Sequence, residues 1–297
     1  MKRFAMLLGV TSVVAVVGWN SLPLLANVGP EVLSVSEGDA ARGAYLARAS
    51  GCIACHTSID DGGPPLAGGP GLKTPFGTFY APNLTTDKQH GIGGWTLEQF
   101  AAALRKGVSP DGRPYYPAFP YSFYTGLSDQ DIADLWAAFR TVPPVSRPSE
   151  PHRLNFPFNQ RDGLNLWQTM FFKEGRLVES DEEDATYRRG AYLVESAAHC
   201  AACHTPRNTF GALDREQAYA GSRSLLSDEG RIPAITSDAL RQAGWSVKDL
   251  AYALQSGIKP DGDVFGGSMG EVVRDGTGYL QRQDLEAMAY YLLNRQK

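Results

Sequence analysis

The sequence has no excess of positive charge. Its 28 lysines and arginines are outnumbered by 32 aspartates and glutamates, a formal net charge of −4. That balance excludes the basic footprint of a nucleic-acid-binding protein. Beyond the N-terminal stretch it has no apolar run long enough to cross a bilayer. It has only four cysteines, Cys52, Cys55, Cys200 and Cys203, and none lies outside two close pairs. Apolar residues are not scarce: 43% of the chain is hydrophobic and 10% aromatic, which excludes global disorder. A length of 297 residues suits two domains or one large one.

The N-terminus reads MKRFAMLLGVTSVVAVVGWNSLPLLANVG. Lys2 and Arg3 make a short basic region, Phe4 to Trp19 an uncharged apolar core, and Ala26 a small residue for cleavage, with Leu24 a poor residue two places before it. Residues 1–26 therefore read as an export signal. The alternative is an uncleaved anchor, although the run is shorter than the ~20 residues of a full span. Either way the expected location is periplasmic, with inner-membrane association through the N-terminus if the segment is retained.

An exported chain with four cysteines would ordinarily form two disulfides. Here the pairs are Cys52-Ile53-Ala54-Cys55-His56 and Cys200-Ala201-Ala202-Cys203-His204. C-x-x-C-H is the attachment signal for c-type haem. Each thiol adds to one vinyl group, two intervening residues let a single turn of chain reach both, and the following imidazole lies under the iron as its proximal ligand. A thioredoxin-like redox pair would need a βαβ setting, which is missing. A zinc site built from both pairs would leave His56 and His204 unexplained. Two covalently bound haem c groups are expected.

The chain also repeats itself. Arg42-Gly43-Ala44-Tyr45-Leu46 returns as Arg189-Gly190-Ala191-Tyr192-Leu193, Gly94-Trp95-Thr96 as Gly244-Trp245-Ser246, and Pro110-Asp111-Gly112 as Pro260-Asp261-Gly262. The last two matches are offset by 150 positions and the haem motifs by 148, so small insertions lie between them. Each unit reads as helical with long loops. Ser36 and Asp39 resemble a capping box, Thr96 and Ser128 read as helix caps, and Gly107 as a helix stop. Ile132, Leu135, Trp136 and Phe139 form an apolar face that Leu285, Met288, Ala289 and Leu292 repeat. Gly62 to Gly71, rich in glycine and proline, reads as irregular chain around a haem edge. The expected division is 36–142 and 185–297, joined by a connector over 143–184. That connector is proline-rich at first, carries Trp167, Met170 and Phe171 on a helical face expected to pack against a haem domain, and ends in the acidic run Glu179, Asp181, Glu182, Glu183 and Asp184.

Together with Pro82-Asn83-Leu84-Thr85 and Gly93-Gly94-Trp95, these elements resemble class I bacterial cytochrome c domains in tandem. They are most similar to the cytochrome c subunits of alcohol, gluconate and fructose dehydrogenases and to related dihaem c-type cytochromes. The resemblance implies an all-α fold of two tandem domains with long Gly/Pro-rich loops around the haems. It also implies electron transfer, with no catalysis of its own, between a dehydrogenase donor and a cytochrome or oxidase acceptor.

In that family a methionine commonly closes the iron opposite the histidine and raises its potential. Met269, in Gly267-Ser268-Met269-Gly270, is the candidate for haem 2, and its rival Met288 lies on the apolar helix face. In unit one the matching stretch is Tyr116-Pro117-Ala118-Phe119-Pro120-Tyr121, with phenylalanine where the family pattern has methionine. Haem 1 then lacks a protein sixth ligand or takes one from His90, His152, Met170, Tyr115 or Tyr116. Arg207 could pair with a haem propionate or lie at the surface. The alternative function is a haem enzyme or small-ligand-binding protein using an open site at haem 1.

Overall fold

The computed structural model describes residues 31–35, 37–175, 184–226 and 230–296. The apolar segment 1–26, Ser36 and the acidic residues Glu179, Asp181, Glu182 and Glu183 lie outside the described residues. The fold is mostly helical, as expected. In the first half, helix α1 (Ala40–Ala49) leads into α2 (Cys52–His56), and α3 (Leu97–Lys106), α4 (Tyr121–Tyr124) and α5 (Asp129–Phe139) follow. Thr96 caps α3 in a full capping box with Gln99, and Gly107 ends that helix in the left-handed region. Ser128 caps α5 by accepting from the Asp131 N–H. Asp39 caps α1, accepting from the N–H groups of Ala41 and Arg42.

Two small sheets break the all-α expectation. The Gly/Pro-rich region is not wholly irregular: β1 (Gly71–Thr74) pairs antiparallel with β2 (Gly77–Tyr80). The connector then supplies β3 (Arg153–Leu154) to the other edge of β2. Gly77 at φ +119 permits the tight turn, where a Cβ would stand 2.4 Å from the Arg153 carbonyl oxygen. The connector is thus folded onto the first half. Asn83 donates to the Val145 and Arg147 carbonyls, and Leu164 of α6 (Gly163–Phe171) is buried beside Phe79 and Tyr116. On α6, Trp167 donates to the Phe210 carbonyl and Phe171 stacks on Phe210, while Met170 is 57% exposed rather than packed.

The second half repeats the first. Helix α7 (Ala185–Tyr192), capped by Asp184, runs into a π-helical turn over Leu193–Ala197 and then α8 (Ala201–His204). The short pair β4 (Ser222–Arg223) and β5 (Arg231–Ile232) follows. Helices α9 (Ser237–Gln242), α10 (Val247–Ser256), α11 (Gly267–Asp275) and α12 (Arg282–Asn294) complete the half. In each half the first long helix crosses the last, α1 on α5 and α7 on α12. The crossings close at Gly43 and Gly190, where an added Cβ would stand 1.8 Å from the Asp134 carbonyl oxygen and 2.0 Å from that of Ala287. Leu285, Met288, Ala289 and Leu292 are buried as the apolar face requires, which makes Met288 a core residue.

The halves meet through a reciprocal pair of tyrosines. The Tyr45 hydroxyl donates to Asp284 at 2.7 Å and accepts from the Gln281 N–H at the start of α12. The Tyr192 hydroxyl donates to Asp131 and accepts from the Ser128 N–H at the start of α5. The same repeat residue therefore reaches from each half to the same helix start in the other, the self-complementary pattern of a two-fold interface.

Two pairs of substitutions test this frame by denaturant midpoint. Gly43→Ala or Gly190→Ala is expected to lower stability by about 1–3 kcal/mol, the usual cost of overfilling a packed crossing; unchanged midpoints would contradict the close approach. Tyr45→Phe and Tyr192→Phe are each expected to lose about 1.5–3 kcal/mol, the range for a hydrogen bond to a charged group. A loss at one position only would deny the reciprocity.

Candidate functional site

Both CxxCH segments are short helical turns entered from a left-handed residue. Gly51 has φ +67 and His199 φ +41 at the places immediately before Cys52 and Cys200. None of the four cysteines is in a disulfide. Burial pushes the Cys52 and Cys200 thiols up to about 12, so neither is a reactive thiolate. Among the described residues no three His, Cys, Asp or Glu side chains converge as a metal-holding group. The two pairs therefore do not form one zinc site.

The histidines are held alike. His56 Nδ1 lies 2.7 Å from the Pro82 carbonyl oxygen, and His204 Nδ1 lies 2.8 Å from that of Pro233. A carbonyl only accepts, so Nδ1 carries the proton and Nε2 keeps its lone pair. Desolvation holds the His56 imidazole down to about 4, against the pull of that bond, and lowers His204 too. Both rings are neutral at physiological pH, with Nε2 free to bind iron.

The chain after each histidine is fixed by a second matched set. The N–H groups of Gly68 and Gly221 donate to the His56 and His204 carbonyls at 3.0 and 2.8 Å. The buried Thr57 and Thr205 hydroxyls accept from Leu66 N–H and Tyr219 N–H, each at 3.0 Å. Leu66 and Tyr219 sit at φ +59 and +66, and their carbonyls accept from Leu84 and Ile235. Positive φ in side-chain-bearing residues is strained and persists only where surroundings over-determine it. Here the paired hydrogen bonds do so. Two thiols outside any disulfide and a neutral imidazole whose Nε2 keeps its lone pair, made twice, are a donor set that suits c-type haem.

The remaining candidates separate. Met269 lies in the first turn of α11, not in a loop, and is partly buried against the main core. Phe119 stands just before α4, partly buried in the same core and ringed by Tyr115, Tyr121 and Tyr124 at 5.6 to 6.2 Å. His90 is held by Asp87 at 3.3 Å and faces Ser146, on the loop that continues from Pro82. His152 accepts from the Tyr80 N–H at 3.2 Å through Nδ1, which puts its proton on Nε2, and it packs edge-on against Phe79 and Tyr116. Tyr116 donates to the Phe158 carbonyl. Arg207 is partly buried and donates to the Gly211 and Ala202 carbonyls, so its main partners are backbone.

Three residues here were not singled out by sequence reasoning. His199 packs against Phe123 and Tyr124 at 5.9 and 5.5 Å, and the Tyr124 hydroxyl donates to the Ser50 carbonyl. The third is Glu195, fully buried in the π-helical turn near Cys200. It accepts from Tyr291 at 2.5 Å and stands 3.7 Å from Arg295. The available signal was the offset between repeats, which is 147 at Arg42 and Arg189 and 148 at Cys52 and Cys200. One inserted residue is what a π-helical turn absorbs.

Residues 40–139 match the family described as Cytochrome c. A protein named diheme cytochrome c-type from Cereibacter sphaeroides is 43% identical over 280 residues, 92% of this chain and 91% of that protein. The cytochrome c subunit of a quinone alcohol dehydrogenase from Gluconobacter oxydans is 40% identical over 259 residues, 84% of this chain and 53% of that subunit. A fructose dehydrogenase cytochrome subunit from Gluconobacter japonicus is 40% identical over 266 residues, 89% of this chain and 54% of that subunit. The chain thus spans about half the length of those dehydrogenase subunits.

Burial is the largest influence on Glu195 and raises its carboxyl above the ordinary range, although Tyr291 and Arg295 pull it down. A raised carboxyl binds protons more tightly folded than unfolded. Its stabilising share is therefore complete below the ordinary glutamate pKa and is lost as pH rises through the folded value. Glu195→Gln is accordingly expected to gain stability relative to the parent as pH rises from the ordinary glutamate range through the folded value. A thermal-midpoint difference that does not move with pH would contradict it.

Proposed function

The chain belongs to the cytochrome c family, and we propose that it is a dihaem electron-transfer protein made of two tandem cytochrome c domains, 36–142 and 185–297, joined by 143–184. Cys52 and Cys55 hold haem 1 and Cys200 and Cys203 hold haem 2, each pair through thioether bonds. His56 and His204 are the proximal ligands. The observation that carries this reading is the twinned bond from Nδ1 to a proline carbonyl, which orients each ring and leaves Nε2 for iron. The bound haem supplies a reversible one-electron change at iron.

Met269 is the distal ligand of haem 2, at the start of α11. Phe119 takes the corresponding place at haem 1 and cannot ligate. Among the other candidates there, Met170 is largely exposed. His152 carries its proton on Nε2, and His90 is engaged by Asp87. Without a thioether, haem 1 has the lower potential. Electrons enter at haem 1 and leave through haem 2. Arg207 fixes the backbone behind haem 2 and has its Nε left for a propionate.

The dehydrogenase cytochrome subunits among its relatives support a dehydrogenase as donor; the acceptor in this reading is a cytochrome or oxidase. Residues 1–26 act as an export signal or an N-terminal anchor, which puts the protein in the periplasm. Among the described residues no helix is long and apolar enough to cross a membrane.

The intact mass of the purified protein is expected to exceed its polypeptide by two haem groups, and Cys52→Ala/Cys55→Ala to carry one. A redox titration should resolve two steps, the lower one disappearing in that variant, and Met269→Leu should lower only the upper step. A colourless protein would overturn the assignment of cofactor. Equal potentials, or haem 1 the higher, would overturn the direction of flow.

A further inference from the structure

The two CxxCH segments are brought together at the seam between the halves. Helix α4, which follows Phe119, rests on the π-helical turn that leads to Cys200, and α11, which carries Met269, rests on α2. The segment after each distal position in one half therefore lies against the haem-attachment region of the other.

At the centre of this seam is His199. A Cβ placed on Gly51 would stand 3.9 Å from its Cε1 atom. Its imidazole meets the Tyr124 ring edge-on at 5.5 Å, and Tyr124 meets Phe119 at 5.9 Å. The Tyr124 hydroxyl donates to the Ser50 carbonyl at 2.6 Å, two residues before Cys52, and His199 is covalently next to Cys200. The rings thus run without a gap from the distal position of unit one to the attachment segment of unit two. His199 holds φ +41 where its counterpart in the first half is glycine, so a side-chain-bearing residue takes the strained conformation there. Its Nδ1 donates to the Ala197 carbonyl at 2.9 Å, which fixes the ring plane.

We propose that Tyr124 and His199 form an aromatic bridge that positions the two haems in electronic contact and carries electron exchange between them. The inference rests on the dihaem reading above. In the exchange one electron leaves the ferrous iron of haem 1 and reaches the ferric iron of haem 2, so one centre is oxidised as the other is reduced. Neither ring is itself oxidised and no proton moves. The rings fill the interval with contiguous orbitals, through which electron coupling falls off less steeply than through a gap.

The test uses the full haem-loaded protein. After rapid one-electron reduction, the redistribution between the two haems is followed at the two redox steps. His199→Gly, which relieves the backbone and deletes the ring, and Tyr124→Leu are each expected to slow redistribution several-fold. His199→Phe and Tyr124→Phe, which keep a ring, are expected to stay near the parent rate. Both potentials and the haem mass should be unchanged in all four, and the magnetic interaction between the oxidised haems should weaken in the ring-deleting pair alone. Parent-like rates and spectra in the ring-deleting variants would overturn the bridge, as would equal slowing in the ring-keeping ones. Loss of a haem from the parent's mass would overturn the dihaem reading instead.

Discussion

The hydrogen bond from each CxxCH imidazole to a proline carbonyl ties together stretches of chain that are far apart in sequence. It reaches 26 residues from His56 to Pro82 and 29 from His204 to Pro233. The loop between must therefore leave the histidine, turn and return, and the matched Gly68 and Gly221 contacts, threonine hydroxyls and positive-φ residues describe that path. Proline suits the accepting place because it has no N–H of its own to satisfy and its φ is already restricted. The bond also fixes the tautomer, which makes a flexible ring a directed ligand. Burial of the ring in turn keeps it neutral. The irregularity of the loop and the chemistry of the ring are thus one arrangement.

The repeated Arg-Gly-Ala-Tyr has a separate task at each position. The arginines bind a carboxylate on the last helix of their own half, Arg42 on Asp134 and Arg189 on Asp284. The glycines let that helix approach to backbone contact. The tyrosines leave their own half and cap the last helix of the other. A residue that stabilises its own unit and one that joins the units lie two places apart on the same helix. Asp284 accepts from both Arg189 and Tyr45, so the crossing within a half and the seam between halves share an anchor. Burial disfavours its charge, but these two partners prevail and hold the carboxyl below its usual range.

Much of this was legible in the sequence. The haem motifs, the caps at Thr96 and Ser128, the stop at Gly107 and the apolar faces of α5 and α12 all follow from local rules and lie where those rules put them. Three features were not legible because they depend on contacts between distant segments. The strand pairing of β2 with β3 joins a loop to a connector some 75 residues on, and a two-residue strand leaves no periodicity to read. The proline carbonyls carry no side-chain signature at all. The tyrosines were visible as repeats, but a repeat alone does not say whether a residue faces its own unit or its neighbour. The glycines flanking Met269 point to a loop, yet α11 begins at Gly267, where a glycine in the first helical turn is tolerated.

Against this symmetry the departures cluster. Phe119 stands for Met269, His199 for Gly51, and the π-helical turn with Glu195 has no counterpart in α1. These three are buried or partly buried and lie at the seam or beside a CxxCH segment. Two identical haem environments would have equal potentials, and an electron shared between them would have no preferred direction. In the proposed reading, a thioether at one iron and a phenyl ring at the other supply the gradient. The buried Glu195 carboxyl near Cys200 is a further difference between the two environments. In that reading the two-fold frame sets how the two sites face one another, and the broken symmetry within it sets which way an electron runs.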